Sequence, residues 1–162
     1  MKFNIDRIDK LDVSDDEIFE LLSNVYVQGG FTDTETAKSI FDPVKVKSRG
    51  LLLVSKEVES DELAGLVIVV PSTSKAASLA KENECEMHLL GVSSKYRGNG
   101  LGRDLVEKAL GLATDNGWKK MVLWTQKPMK EAQSLYESFG FRQFDEMTRN
   151  GIEFLVYEKV CI

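Results

Sequence analysis

The chain has 162 residues, 43% hydrophobic and 29% charged, a balance that suits one domain with its own core and excludes a disordered or collagen-like polypeptide. Its net charge of −5 argues against broad nucleic-acid binding, which needs a basic face, and fits weakly with a cationic, amine-bearing substrate. Cys85 and Cys161 form no metal or redox motif and suit a reducing cytosol. The N-terminus (MKFNIDRIDKLDVSDD) has no apolar signal region and no run is long enough to cross a bilayer, so a cytoplasmic protein away from the membrane is expected.

In chain order, Lys2 to Ile8 alternates Phe3 and Ile5 with polar residues and predicts a first strand. Ser14 with Glu17 three residues later is a capping box, and Ile18, Leu21, Leu22 and Val25 give the helix face that follows. The segment Val25-Tyr26-Val27-Gln28-Gly29-Gly30-Phe31 breaks that helix. Tyr26 and Phe31 are candidates to line a substrate pocket, the alternative being a hinge with its aromatics in the core. Thr34 to Phe41 predicts a second short helix that Pro43 ends. Leu51 to Lys56 and Leu63 to Val70 are β-rich runs around an acidic turn and read as a hairpin. Pro71 to Asn83 is small, polar and charged, and is expected to be a mobile loop.

The next strand, Cys85 to Val92, has an unusual polar face. Strict alternation puts Glu84, Glu86, His88 and Leu90 on one side, and Cys85, Met87, Leu89 and Gly91 on the other. Two carboxylates and the only histidine on one face of a central strand are costly unless that face is wet or functional. Plainer accounts exist: Glu84 at a solvated strand end, His88 as a hydrogen-bonded core histidine.

The organising stretch comes next. Arg97-Gly98-Asn99-Gly100-Leu101-Gly102 is a glycine turn that opens a helix near Gly100, with Leu101, Leu105, Ala109, Leu112 and Ala113 on one face and Asn116-Gly117 closing it. Free backbone N–H groups at the positive end of a helix bind phosphate. The turn is no nucleotide P-loop, because no Gly-Lys-Ser/Thr occurs. It is no dinucleotide fingerprint, because Arg103 stands where the third glycine belongs. Lys119 to Thr125 is another strand. Pro128 then opens a helix with Met129, Ala132, Leu135, Tyr136 and Phe139 on one face, capped by Gly140. Phe141 to Met147 and Ile152 to Val160 flank Asn150-Gly151, a type I′ hairpin signal.

Two of these motifs carry a resemblance. Arg97-x-x-Gly100-x-Gly102 resembles motif A of the GNAT superfamily, the acyl-CoA-dependent N-acetyltransferases, whose pyrophosphate loop reads Gln/Arg-x-x-Gly-x-Gly/Ala. Ala132-x-x-Leu135-Tyr136-x-x-Phe139-Gly140-Phe141 resembles the end of their motif B, A-x-x-L-Y-x-x-x-G-F. The resemblance covers residues 84 to 141; the N-terminal half matches only in element order. It implies an α/β (α+β) fold, a mixed, mostly antiparallel sheet of about six to seven strands with about four helices on both faces, as a single domain.

The resemblance also implies a chemistry. Acetyl-CoA is the co-substrate, with its pyrophosphate on Arg97, Gly98, Asn99, Gly100, Leu101 and Gly102. Its pantetheine arm pairs with Leu90 and Val92, Gly91 allows close approach, and the Leu90 N–H faces the oxyanion. Glu86 is the expected general base, because histone-type members carry a glutamate eleven residues before the first motif-A residue, as Glu86 stands before Arg97. Tyr136 is the expected general acid at the CoA sulfur. Tyr26, Phe31, Glu84 and His88 are substrate-side candidates, and no metal is expected. Met129 stands where many members have an asparagine that contacts CoA, so that contact is in doubt. The expected reaction is direct attack of a primary amine, small-molecule or peptide, on acetyl-CoA in a ternary complex, without nucleic acid; a homodimer stays open. Two alternatives remain: a CoA-binding regulatory module without turnover, and transfer of a different acyl group.

Overall fold

Two runs, Leu51–Glu57 (β2), apolar through Val54, and Leu63–Pro71 (β3), apolar throughout, are buried nearly along their whole length and form one half of the sheet centre. In the computed structural model, which describes residues 1–161, they belong to a seven-stranded sheet of order β1-β2-β3-β4-β5-β7-β6. The other strands are Phe3–Arg7 (β1), Glu84–Val92 (β4), Lys120–Gln126 (β5), Arg142–Arg149 (β6) and Ile152–Val160 (β7). Every neighbouring pair is antiparallel except β4 with β5. The mixed, mostly antiparallel sheet and helices on both faces are as the sequence implies.

The helices are Asp15–Leu22 (α1), Thr34–Ile40 (α2), Pro43–Ser48 (α3), Leu101–Asp115 (α4) and Lys130–Ser138 (α5), one more than expected. The extra one is α3. Pro43 ends no helix; it occupies the first turn of α3, where its missing N–H costs nothing, and Asp42 caps that turn. Helix α1 starts at the capping box: Glu17 N–H donates to Ser14 Oγ at 3.2 Å and Ser14 N–H to Glu17 Oε1 at 3.1 Å. It does not stop at Val25 but continues as a wider π turn through Ser23–Val27. Helix α4 ends in a Schellman motif, with Trp118 N–H donating to Ala113 O and Gly117 N–H to Thr114 O, both at 3.0 Å.

Alternation along the strands divides the core. Leu53, Val67, Val69, Cys85, Met87, Met121 and Leu123 pack under α4 and α5 with Leu101, Leu105, Val106 and Tyr136. Leu52, Val54, Leu66, Ile68 and Val70 pack under α1 to α3 with Ile18, Leu22, Phe41 and Val46. Asn150 and Gly151 take φ of 50° and 78°, as a two-residue hairpin of type I′ requires.

Two features depart from the sequence reading, and both shape the site. The β4 alternation slips at Leu89, whose φ is +55°. Opposite β3, Ile68 pairs with His88 and Leu66 with Gly91, so Leu89 and Leu90 together face Val67 as a bulge. Leu90 and Val92 therefore join the α4 side with Cys85 and Met87, while Leu89 packs on the α1 side. Second, the loop after β3 is pinned. The N–H groups of Ser78, Leu79 and Ala80 all donate to Glu86 Oε2, at 2.8, 2.6 and 2.7 Å, and Ser74 Oγ donates to Arg49 O at 2.7 Å. A buried carboxylate, with Ala76 and Ala77 packed on the α1-side core, holds this polar segment.

Candidate active site

Strands β4 and β5 pair only over Glu84–Glu86 and Lys120–Val122. Beyond Glu86 they part, with the β4 bulge at the opening. Two cavities meet there, both lined by Phe31, Leu90 and Met129.

The first is a groove of about 670 Å³ that runs along Leu90, Gly91 and Val92 to Arg97, Gly98, Gly100, Leu101, Gly102 and Arg103, with Pro128 to Ala132 opposite. Gly100 precedes α4 with φ of +76°, and no side chain caps the helix, so its first N–H groups have no intrahelical acceptor. The turn is braced from behind: Asn99 Nδ2 donates to Tyr96 O at 3.0 Å, and Arg97 Nε to Val92 O at 3.3 Å. Asn99 thus supports the turn and is not among the groove's lining residues. The β4 edge facing the groove has no strand partner past Glu86. An uncapped helix start for a diphosphate and an open strand edge for an amide-bearing arm fit coenzyme A.

The second cavity, about 740 Å³, lies between the π turn and α2 on one side and the ends of β5, β6 and β7 on the other. Tyr26, Phe31, His88, Leu90, Trp124 and Tyr136 line it. Tyr26 reaches across from the π turn and its hydroxyl donates to Leu90 O at 3.0 Å. Tyr136 is buried against Phe141 and Tyr157. Among the described residues its hydroxyl has no hydrogen-bond partner, and burial, then the nearness of Tyr26, pushes its pKa up. It stays a neutral phenol at any ordinary pH.

The three polar side chains of β4 are not equivalent. Glu84 lies at the strand start, away from both cavities, accepting from Lys81 N–H at 3.0 Å. Glu86 is fully buried, and neither cavity is lined by it. One carboxylate oxygen takes the three loop N–H groups; the other lies 2.8 Å from His88 Nε2. Burial opposes ionisation, but these donors outweigh it and hold the carboxyl below its ordinary range. With its acceptor sites filled, Glu86 has no approach to an amine in the cavity. His88 does line the cavity, its ring 4.8 Å from Trp124 in an edge contact. Arg49 Nη1 lies 3.1 Å from His88 Nδ1. A guanidinium only donates, so Nδ1 accepts and Nε2–H donates to Glu86. Burial foremost, with Arg49 and Arg149 adding to it against the pull of Glu86, lowers the His88 pKa, and the ring is neutral.

The sequence reading did not single out Arg49, Trp124 or Arg149, which also line this cavity. Arg49 follows α3, and Arg149 ends β6 at the hairpin. They lie far apart in the chain and carry no motif.

Comparison with known proteins agrees with this geometry. The family model described as the acetyltransferase (GNAT) family matches residues 16–141. The chain belongs to that family. An uncharacterized N-acetyltransferase of Dictyostelium discoideum is 44% identical to this GNAT chain over 61 residues, 38% of this chain and 28% of that protein. Human N-alpha-acetyltransferase 30 is 39% identical over 70 residues, 41% of this chain and 19% of its own length. These matches cover less than a third of either relative. The crystal structure of the PaiA N-acetyltransferase from Thermoplasma acidophilum in complex with coenzyme A superposes with a TM-score of 0.75 at 16% identity, covering 99% of both chains, and so shares the GNAT fold. Among the described residues no helix is long and apolar enough to cross a membrane, and no group of acidic, histidine and cysteine side chains is arranged to hold a metal ion.

Proposed function

We propose that this GNAT chain transfers an acetyl group from acetyl-CoA to an amine by direct attack, with both substrates bound at once. The observation that carries this reading is the junction: the groove at the α4 turn and the second cavity share Phe31, Leu90 and Met129. Bound in the groove, acetyl-CoA supplies the thioester carbonyl and a thiol leaving group. The chain's own residues do the rest. The α4 turn orients the diphosphate and the β4 edge orients the arm, and holding two reactants together supplies much of the rate. The bulge at Leu89 offers the Leu90 N–H as oxyanion donor. His88 takes the ammonium proton on Nδ1 once its contact with Arg49 opens. Glu86 positions it by fixing the Nε2–H tautomer and stabilising the imidazolium. The expectation of Glu86 as the base thus becomes a positioning role one residue pair removed. Thiol release from acetyl-CoA on addition of amines tests the reading; none with any amine would contradict it. Two free cysteines suit a reducing compartment, and we place the protein in the cytoplasm.

Tyr136 is the proposed general acid for the departing thiolate, and the second proton that the nitrogen loses as the amide forms restores its hydroxyl. Thiols ionise near pH 8.5, so the thiolate leaves fairly well unaided and protonation gives only part of the rate. Tyr136→Phe is expected to keep the fold and coenzyme A affinity while slowing single-turnover acyl transfer roughly 10- to 100-fold. Transfer as fast as in the parent would make the residue packing only.

A further inference from the structure

The acceptor cavity has a charge opposite to that of the chain. The protein carries a net charge of −5, yet two arginines, Arg49 and Arg149, line this cavity. Its one acidic lining residue, Asp33, is committed elsewhere, capping α2 through Thr36 N–H at 2.7 Å and Thr36 Oγ1 at 2.8 Å. Arg49 uses two donors, on His88 Nδ1 and on Ile40 O, each at 3.1 Å. Arg149 lies over the Trp124 ring, 5.2 Å from its centroid, and donates to Ser78 Oγ at 3.0 Å. Neither arginine forms an ion pair among the described residues, although nine lysine– or arginine–carboxylate pairs occur among them. Each guanidinium has five N–H donors, so both keep donors to spare.

Arg49 is half-buried, and a half-buried guanidinium without a carboxylate is expensive in a protein rich in carboxylates, unless a ligand supplies one; Arg149 is exposed and adds its charge at the mouth. We propose that the acceptor is a small amine that itself carries a carboxylate, seated on the half-buried Arg49 and the exposed Arg149 that line this cavity. This rests on the acetyl-transfer reading and names the class of acceptor for it. A polyamine or a lysine side chain would bring further positive charge against two unpaired guanidinium groups, which selects against it. The carboxylate matches the fork of an arginine and can be bound through two parallel bonds. Phe31, Ile40, Phe41, Trp124, Ile152 and Phe154 supply apolar walls, and 740 Å³ leaves room for an apolar body beyond the amine and carboxylate. A carboxylate on Arg49 also draws that guanidinium from His88 Nδ1, which frees the lone pair the reaction needs.

The probes are L-phenylalanine, L-phenylalaninamide and spermidine, with calorimetry and turnover as separate readouts. L-phenylalanine is expected to bind the protein loaded with coenzyme A and to be acetylated with a kcat/KM at least roughly 10-fold above that of its amide. Arg49→Gln is expected to weaken L-phenylalanine binding roughly 10- to 100-fold, Arg49→Lys less, and coenzyme A affinity is unchanged in both. Arg149→Gln, at the exposed rim, acts in the same direction with a smaller effect, and carries the test if Arg49→Gln does not fold. Binding of L-phenylalanine without acetylation of any amine supports the carboxylate site and overturns acetyl transfer. Equal handling of acid and amide, or preference for spermidine, overturns the carboxylate site and leaves acetyl transfer standing. No binding of L-phenylalanine overturns it whatever the turnover.

Discussion

Gly100→Asp is expected to weaken coenzyme A binding at least roughly 100-fold while the protein stays folded. The substitution puts a carboxylate at the mouth of α4, where the N–H groups that would meet the diphosphate are uncapped. The side chain acts twice: it repels the anion, and it competes for the same N–H groups as a capping residue. The backbone there has φ of +76°, a region that aspartate tolerates better than most residues, and an added Cβ meets nothing within 4 Å. Circular dichroism therefore should show an intact fold with little change in melting temperature. Calorimetry reads the affinity. Parent-like affinity in a folded variant would remove the α4 turn from the coenzyme site.

The second large effect concerns the buried pair on β4. His88→Gln is expected to lower kcat by roughly 10²–10⁴-fold with coenzyme A affinity intact, the usual span for loss of a general base. Glu86→Gln should approach the same loss by a different route. Its amide can still accept from the three loop N–H groups only if its NH₂ faces His88 Nε2, which forces the proton onto Nδ1, against Arg49. The ring is then in the wrong tautomer, so kcat falls while the donor site is untouched. The pH profile separates the roles. Burial, reinforced by Arg49, lowers the His88 pKa, so the base is neutral above its ordinary value of 6.5 and is lost to protonation only at more acidic pH. The parent's kcat should fall along an acid limb that starts below 6.5, and that limb should be gone in His88→Gln. Full activity in His88→Gln from pH 6 to 9 would assign proton removal to water or to another group.

The sheet was legible because its signals are local. Alternation at Phe3 and Ile5, the apolar runs of β2 and β3, and Asn150-Gly151 each act over a few residues, and the seven strands fall within a residue or two of where those signals put them. The α4 turn was legible because glycines at Gly98 and Gly100 are needed where φ is positive. The bulge was not, since Leu89-Leu90-Gly91 is apolar throughout and nothing in it marks where alternation slips. Pro43 was ambiguous, because proline both stops one helix and starts another. Composition misled for the loop after β3: few apolar side chains suggested mobility, whereas one carboxylate on the next strand collects three of its N–H groups. The same long-range fact altered the reading of Glu86, whose place in the sequence fitted a base but whose oxygens are already engaged. Arg49 and Arg149 became partners in one cavity only through the tertiary fold.

Direct transfer between two substrates held together is the central claim, and initial-velocity kinetics test it most directly. Neither cavity is lined by a cysteine, and burial pushes the Cys85 thiol up to about 12, so the site offers no thiolate to carry an acetyl group. With acetyl-CoA varied at several fixed concentrations of an acetylated amine, the double-reciprocal lines should intersect, and no labelled acetyl group should stay on the protein when the amine is left out. Parallel lines with a protein-bound acetyl group would contradict the account.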